Sequence, residues 1–331
     1  MPAPVYAAID LGTHNCRLLI AKPASARGCR VIEGYSRPVR LGEGLDRRGE
    51  LSPEAVERAL DALRCCIYRM HRAGVRRVRA VATEPCRQAA NATAFVAEVK
   101  RQTGLRLERL SADDEIALTL AGCQGLLTPH SFGFALLVDI GGGSTEVSWI
   151  EQRTDGPPRV LAFLSIPCGV VTFAERYGSD RVPPATFAAM VEALSRHLER
   201  FPEATRVDEA IRAGRVQMLA TSGTVTTLGA CYLRLKRYQR SRVDGLTLSF
   251  RDLAVVSATL AATSLSARAA NPCIGVDRAD LVVAGCAILQ AVCRRWPVGR
   301  LTVADRGIRE GLLAAMMAED GFVAARAVDE P

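Results

Sequence analysis

The chain has 331 residues and a formal net charge of +8, with 43 Lys and Arg against 35 Asp and Glu. At roughly 150 residues per domain, that length suits two domains, each with its own core. The composition, 49% hydrophobic and 24% charged, excludes a disordered chain. Apolar runs such as 135–140 fall far short of the roughly 20 residues that span a bilayer, and residues 1–5 carry no basic side chain, so neither a membrane partner nor a signal peptide is expected.

Eleven cysteines, with no C-x-x-C pair and no histidine at ligand spacing, read as reduced, buried residues of a cytoplasmic protein and not as a disulfide framework or zinc site. Forty of the 43 cations are Arg. A GC-rich genome accounts for such a bias, although guanidinium forks also suit phosphate oxygens. The charge is uneven, +6 over residues 1–128 and +2 over 129–331. That fits an anionic partner for the first half, but +8 on this size is no nucleic-acid signature, and no nucleic-acid partner is expected.

In chain order, residues 5–10, 18–22 and 31–35 read as a meander of three strands, and the Gly- and charge-rich stretch 40–51 as a loop. Ser52 caps a helix with Pro53 at its first position. Val56, Leu60, Leu63 and Ile67 form its buried face, and Gly74 ends it. A strand at 78–83 is followed by a helix capped by Asn91 or Thr93 and stopped by Gly104, a strand at 105–110, and a helix capped by Ser111 that runs to about residue 121. The pattern then restarts, with strands at 134–139, 146–150 and 160–165 and helices at 170–177 and 184–200. A buried strand at 216–221, helices at 224–233, 250–261 and 278–295, a strand at 300–304 and a helix near 309–317 complete it. Residues 316–331 read as a helix end and tail.

The restart is an internal repeat. Ala7-Ala8-Ile9-Asp10-Leu11-Gly12 matches Leu136-Leu137-Val138-Asp139-Ile140-Gly141, and in both a polar turn and a returning strand follow. Each half therefore begins with a hairpin whose tip carries Asp and Gly. The expected organisation is one domain over 1–128, joined by a C-terminal helix within 309–325, and a second over 129–308.

The stretch 139–146 is the richest in chemistry. Gly141, Gly142 and Gly143 let backbone N–H groups approach an anion closely, and Ser144 and Thr145 add hydroxyls. Asp139 and Glu146 flank the turn as oxygen ligands for a hard cation such as Mg²⁺. The alternative is a capped flexible turn. No Gly-Lys-Ser/Thr follows, so this is not a P-loop. In the first half, Asp10, Thr13 and Asn15 occupy the equivalent turn, and Arg17 on the returning strand can point either way. Ser222, Gly223 and Thr224 open a helix after a strand, an anion site or a simple N-cap. Ser111-Ala112-Asp113-Asp114-Glu115 offers a carboxylate that could activate water, or acids that merely complement a helix dipole. Arg87, in a turn, is a candidate phosphate clamp or a solvated residue. The run 234–242, with five cations and no acid, is a solvated face or a polyanion track. The four His have no Ser or Cys nucleophile partner and no G-x-S-x-G elbow is present, so phosphate chemistry by cradle, cation and positioned water fits better than a triad.

These residues resemble those of the exopolyphosphatase/guanosine pentaphosphate phosphatase (Ppx/GppA) family. LLVDIGGGSTE at 136–146 carries the resemblance furthest. AAIDLGTHN (7–15), RLGEGL (40–45), CRQAANATAFVAEVKRQTGL (86–105), residues 111–115, SIPCGVVTFAERYG (165–178), ATSGTVTTL (220–228), RYQRSRVDG (237–245) and DRGIREG (305–311) support it in order. The resemblance implies an α/β fold of two ribonuclease-H-like domains of the actin/Hsp70/sugar-kinase superfold flanking a phosphate-binding cleft. It also implies Mg²⁺-dependent release of a terminal phosphate from inorganic polyphosphate or from the 5′ end of guanosine pentaphosphate. Carried over, Glu115 stands at the catalytic base and Asp139 and Glu146 at metal-side carboxylates, with Asp10 their first-half counterpart. Gly141, Gly142, Gly143 and Ser144 stand at the phosphate loop. Thr13, Asn15 and Arg87 stand at phosphate-side positions, and Ser222, Gly223 and Thr224 are consistent with the other rim. The chain departs from the family pattern at Ala112 and Asp114 in the acidic motif, in the Gly-Thr-His-Asn turn, and at Glu-Pro-Cys before Arg87, where a small apolar approach is usual. It ends without the helical HD-type extension of the long members.

The expectation is a Mg²⁺-dependent phosphoanhydride hydrolase in which Glu115 activates water. A polyphosphate- or alarmone-binding regulator with little catalysis, and an ATP-dependent kinase of the same superfold, are the other readings; the presence of Glu115 favours the enzyme. The oligomeric state, a homodimer included, is left open.

Overall fold

The computed structural model describes residues 3–24 and 29–322. Of the expected C-terminal helix and tail, residues 323 onward lie outside the described residues, as do Met1 and Pro2. By contacts the chain divides into two units. One runs to Gly125 and resumes at Arg306; the other is Leu126–Asp305.

In the first unit, β1 (Tyr6–Leu11), β2 (Asn15–Pro23), β3 (Cys29–Pro38), β4 (Arg77–Ala82) and β5 (Leu107–Arg109) form one sheet in the order β3-β2-β1-β4-β5. The first three strands are an antiparallel meander, and β4 and β5 continue parallel to β1. β1 is buried on both faces, which is why its sequence is apolar without alternation. Ala7, Ile9 and Leu11 join the core that includes Leu60 and Leu63 of the Pro53–Arg72 helix, whereas Tyr6 and Ala8 pack with Leu312, Leu313 and Met316 of the Ile308–Glu319 helix. The two-residue period of a strand then places Asp10 on the Ile308–Glu319 side.

The second unit repeats the plan with β6 (Phe134–Ile140), β7 (Thr145–Glu151), β8 (Arg159–Ile166), β9 (Val216–Thr221), β10 (Thr247–Ser249) and β11 (Arg300–Ala304). Its order is β10-β11-β9-β6-β7-β8. β6–β8 are the meander, β9 and β11 extend it in parallel, and β10 adds an antiparallel edge. In both units a meander extended in parallel beyond its first strand is the ribonuclease-H-like plan, so the fold is the two-sheet α/β architecture the repeat calls for. Several short elements escaped the sequence, among them β10 and the helices Glu84–Gln88, Ala204–Arg212, Arg240–Val243 and Leu265–Ala270. Glu84–Gln88 read as a turn because of Pro85, but proline in a first helical turn removes an N–H that has no partner there anyway.

Within the first unit, the Ala112–Cys123 helix packs hard against the chain around Ile308–Glu319. A Cβ on Gly122 would stand 2.1 Å from the Gly307 carbonyl oxygen, and one on Gly311 would stand 2.0 Å from that of Leu118. The obstructing atoms are backbone and can yield only if a helix moves. Gly311→Ala is therefore expected to cost about 1–3 kcal/mol, read as a lower urea midpoint. Gly34→Ala, with nothing within 4 Å of the new methyl group, should stay within about 0.5 kcal/mol of the parent.

Candidate active site

In the first unit, the β1–β2 hairpin is closed by the Gly12 N–H donating to the Asn15 carbonyl (2.9 Å). Thr13 and His14 in its turn are buried. Their carbonyls accept from the N–H groups of Gly42 (3.0 Å), Val39 (2.8 Å) and Arg40 (2.9 Å), so the Gly-rich segment expected as a loop lies on the turn and braces it. That segment also contains a helical turn, Leu45–Arg48. Asp10 and Arg17 are register partners, which settles the direction of Arg17: it shares a face with Asp10. Burial raises the Asp10 pKa, and Arg17 and Arg309 oppose that rise.

Arg87 and Glu115 are brought together. Arg87 Nη1 donates to Glu115 Oε2 at 2.5 Å and to the Leu110 carbonyl at 3.3 Å. Arg87 Nε donates to Glu84 Oε2 at 2.7 Å. Burial works against the Arg87 charge, but Glu115 and Glu84 outweigh it and hold the guanidinium above its ordinary pKa. Ser111 caps the Ala112–Cys123 helix by accepting from Asp114 N–H. Of the three acids in its first turn, Asp113 and Asp114 are exposed and only Glu115 is buried. The turn of Thr13 lies near the start of the Arg87 segment, since a Cβ on Gly12 would stand 3.8 Å from Thr83 Oγ1. Glu84 and Thr83 were both missed as site residues. The signal for Glu84 was its i,i+3 spacing to Arg87.

In the second unit, the Gly141 N–H donates to the Ser144 carbonyl (2.9 Å) and closes the β6–β7 tip. Glycine at 141 is required by close approach, because a Cβ would stand 2.9 Å from that carbonyl oxygen. The N–H groups of Val170 and Val171, opening the Val170–Tyr177 helix, donate to the carbonyls of Gly141 (3.0 Å) and Gly142 (2.8 Å). Gly169 lets this happen, since a Cβ there would stand 2.3 Å from the Gly142 oxygen. The loop carbonyls are thus tied to one helix start. Gly143 and Ser144 are buried.

Asp139 and Glu146 are register partners on neighbouring antiparallel strands, so their carboxylates share a face. Glu146 is 3% exposed and accepts from Ser165 Oγ at 2.9 Å. Two facing carboxylates repel unless a cation lies near them. Mg²⁺ is commonly held by one or two carboxylates together with water and substrate phosphates, and this donor set fits it. Among the described residues no group of three or more His, Cys, Asp and Glu could hold a metal ion. Asp139 also pairs with Thr221 at the end of β9, which brings Ser222 and Gly223 beside the glycine loop. Thr224 is turned away: its side chain is buried where a Cβ on Gly285 would stand, 2.5 Å from Oγ1. All eleven cysteines are free, and burial pushes the Cys86 and Cys286 thiols up to about 12, so neither is a thiolate nucleophile at neutral pH. No helix of the described residues is long and apolar enough to cross a membrane.

The family model described as the Ppx/GppA phosphatase family matches residues 20–320. A guanosine-5′-triphosphate,3′-diphosphate pyrophosphatase of Photobacterium profundum is 30% identical over 96% of this chain and 60% of its own length. Its counterpart in Pseudoalteromonas translucida is 29% identical, with 64% of its length covered, so the chain spans less than two thirds of these two relatives. Exopolyphosphatase 2 of Mycobacterium tuberculosis is 29% identical over 94% of this chain and 98% of its own. Among solved structures, a Ppx/GppA family member of Aquifex aeolicus aligns with a TM-score of 0.76 at 25% identity, covering 96% of this chain and 99% of that one.

Ser222 has φ 99° and ψ 177°, a region that glycine enters readily and other residues enter at a cost of roughly 1–3 kcal/mol. Its hydroxyl accepts from Thr224 N–H at a long 3.4 Å. Relief of strain should outweigh the weak cap, so Ser222→Gly is expected to raise stability by about 1 kcal/mol. Ser222→Ala keeps the strain, loses the cap and should lower stability by about 0.5–1 kcal/mol, both read by urea denaturation.

Proposed function

The chain belongs to the Ppx/GppA phosphatase family, and we propose that it hydrolyses the terminal phosphoanhydride of a polyphosphorylated anion with the help of Mg²⁺. The two candidate substrates are inorganic polyphosphate and the 5′ end of guanosine pentaphosphate. The names of the relatives support the reaction class. The observation that carries the reading is the selection of Glu115: of three consecutive acids, it alone is buried, and it lies 2.5 Å from a guanidinium suited to phosphate oxygens.

In this reading Glu115 orients a water and accepts its proton as the water oxygen attacks the terminal phosphorus. The bond to the bridging oxygen breaks, its electron pair leaves with the shortened substrate, and orthophosphate is released. Arg87 donates to oxygens of the transferred group. The N–H groups of Gly141, Gly142 and Gly143 and the Ser144 hydroxyl serve the same chemistry, as do Thr13, Asn15, Ser222 and Gly223. Thr224 contributes a packed helix start, not its hydroxyl. Asp139 and Glu146 would hold Mg²⁺, which supplies charge neutralisation when bound. Asp10, the third proposed metal-side carboxylate, already faces Arg17. The thiols, none in a disulfide and most of them buried, suit a reducing cytoplasmic setting.

Glu115→Gln keeps the size of the side chain and an acceptor for Arg87 but removes the base. Phosphate release should fall about 10²–10⁴-fold while the variant melts like the parent and still binds tripolyphosphate. Near-normal release would sink the assignment. Running polyphosphates of several lengths and guanosine pentaphosphate in parallel identifies the substrate. Glu146→Gln should raise the Mg²⁺ concentration needed for half-maximal release on the order of tenfold or more; an unchanged Mg²⁺ dependence would remove Glu146 from the metal side.

A further inference from the structure

Glu84 stands where a phosphate would be expected to bind. Its Oε2 accepts from Arg87 Nε at 2.7 Å and lies 2.5 Å from Arg87 Nη2. Nε and Nη2 form one edge of the guanidinium fork, the edge that takes carboxylates and phosphates. The remaining nitrogen, Nη1, serves Glu115 and the Leu110 carbonyl. Glu84 is itself held in place, because its Oε1 accepts from Gln88 Nε2 at 2.6 Å within the same short helix. The three side chains are largely out of solvent, 12% exposed for Glu84, 19% for Arg87 and 9% for Glu115. Glu84 thus adds a second negative charge beside the guanidinium that Glu115 already faces. In partly buried surroundings that charge is poorly screened, so an arriving anion meets repulsion where Arg87 alone would attract it.

We propose that Glu84 sets the affinity of the site for phosphoanions: it occupies the Arg87 edge that a phosphate would take and must be displaced for an anion to bind there. The proposal rests on the reading of Arg87 as a phosphate-side residue. Its consequence is a site that discriminates by charge. A weakly charged ligand cannot displace Glu84, whereas a polyphosphate end, with several charges per ligand, can.

The test is titration calorimetry with tripolyphosphate in Mg²⁺-free, low-salt buffer. Glu84→Gln keeps an acceptor for Arg87 but removes the charge, and it should tighten binding on the order of tenfold, with a gain that shrinks as salt is added. Glu84→Asp, which draws the charge back by one methylene, should give an intermediate gain and serves if the first variant melts early. In an Arg87→Ala background, Glu84→Gln should give no gain. Equal affinities for parent and Glu84→Gln would overturn the proposal, and so would an undiminished gain without Arg87, which would mark a general charge effect. Steady-state kinetics on the same proteins should show KM falling in step with the dissociation constant. If the parent releases no phosphate from either substrate while Glu84→Gln still binds tripolyphosphate more tightly through Arg87, the hydrolase reading fails and the role of Glu84 stands.

Discussion

The governing constraint in the proposed site is electrostatic: carboxylates are needed where phosphoanions would be handled, and every carboxylate placed there repels such a ligand. The two units meet the constraint differently on the same hairpin. In the first, Asp10 lies opposite Arg17, and a covalently attached cation offsets the acid. In the second, Asp139 lies opposite Glu146, so two like charges share one face of the hairpin. One cross-strand position, Arg in one half and Glu in the other, separates a hairpin complete in itself from one suited to a metal. The Arg87 group is a third solution, in which one guanidinium holds two carboxylates.

Glu115 depends on backbone packing well beyond its own contacts. It sits in the first turn of the Ala112–Cys123 helix, and Ser111 fixes where that turn begins. The helix is held by close approaches of Gly122 to Gly307 and of Leu118 to Gly311 that leave no room for a methyl group. The Ile308–Glu319 helix on the other side of those contacts also covers the Asp10 face of β1. A carboxylate that must meet Arg87 at 2.5 Å tolerates little sliding of its helix, so glycines with no chemistry of their own set the geometry of the pair.

Much of this was legible in the sequence because it follows from short-range rules. The Asp-Gly repeat, the caps at Ser52 and Ser111, and the strand-then-Gly/Ser turn at 216–223 all depend on residues within a few positions of one another, and the observed elements follow them. What was not legible depends on partners distant in sequence. The direction of Arg17 needs the hairpin register. The choice of Glu115 over Asp113 and Asp114 needs Arg87, 28 positions away. Thr224 looks like a phosphate ligand by composition, but Gly285 opens the space that receives its side chain. Glu84 was hidden for a different reason. Pro85 made its helix read as a turn, and without a helix the i,i+3 relation to Arg87 has no geometric meaning.

The same reasoning limits what net charge can say. Several first-unit arginines are committed to ion pairs of ordinary surface type, which leave the +6 over residues 1–128 unchanged: Arg69 with Glu33, Arg64 with Glu57 and Asp61, Arg79 with Glu108, Arg58 with Glu43. The run at 234–242 is also divided by the fold. Tyr238 donates to Asp305 Oδ2 at 2.6 Å and Arg240 Nη2 to the Asp305 carbonyl at 2.6 Å, so part of the run secures the end of β11, while Arg234, Lys236, Arg237 and Arg242 face solvent. A polyanion recognised at single positions needs few cations, provided each is fixed and partly withdrawn from water. Arg87 meets both conditions, and in the proposed exchange a phosphoanion takes the place of one of its two carboxylate neighbours. Among forty arginines, the one held between Glu84 and Glu115 is the one on which the proposed site depends.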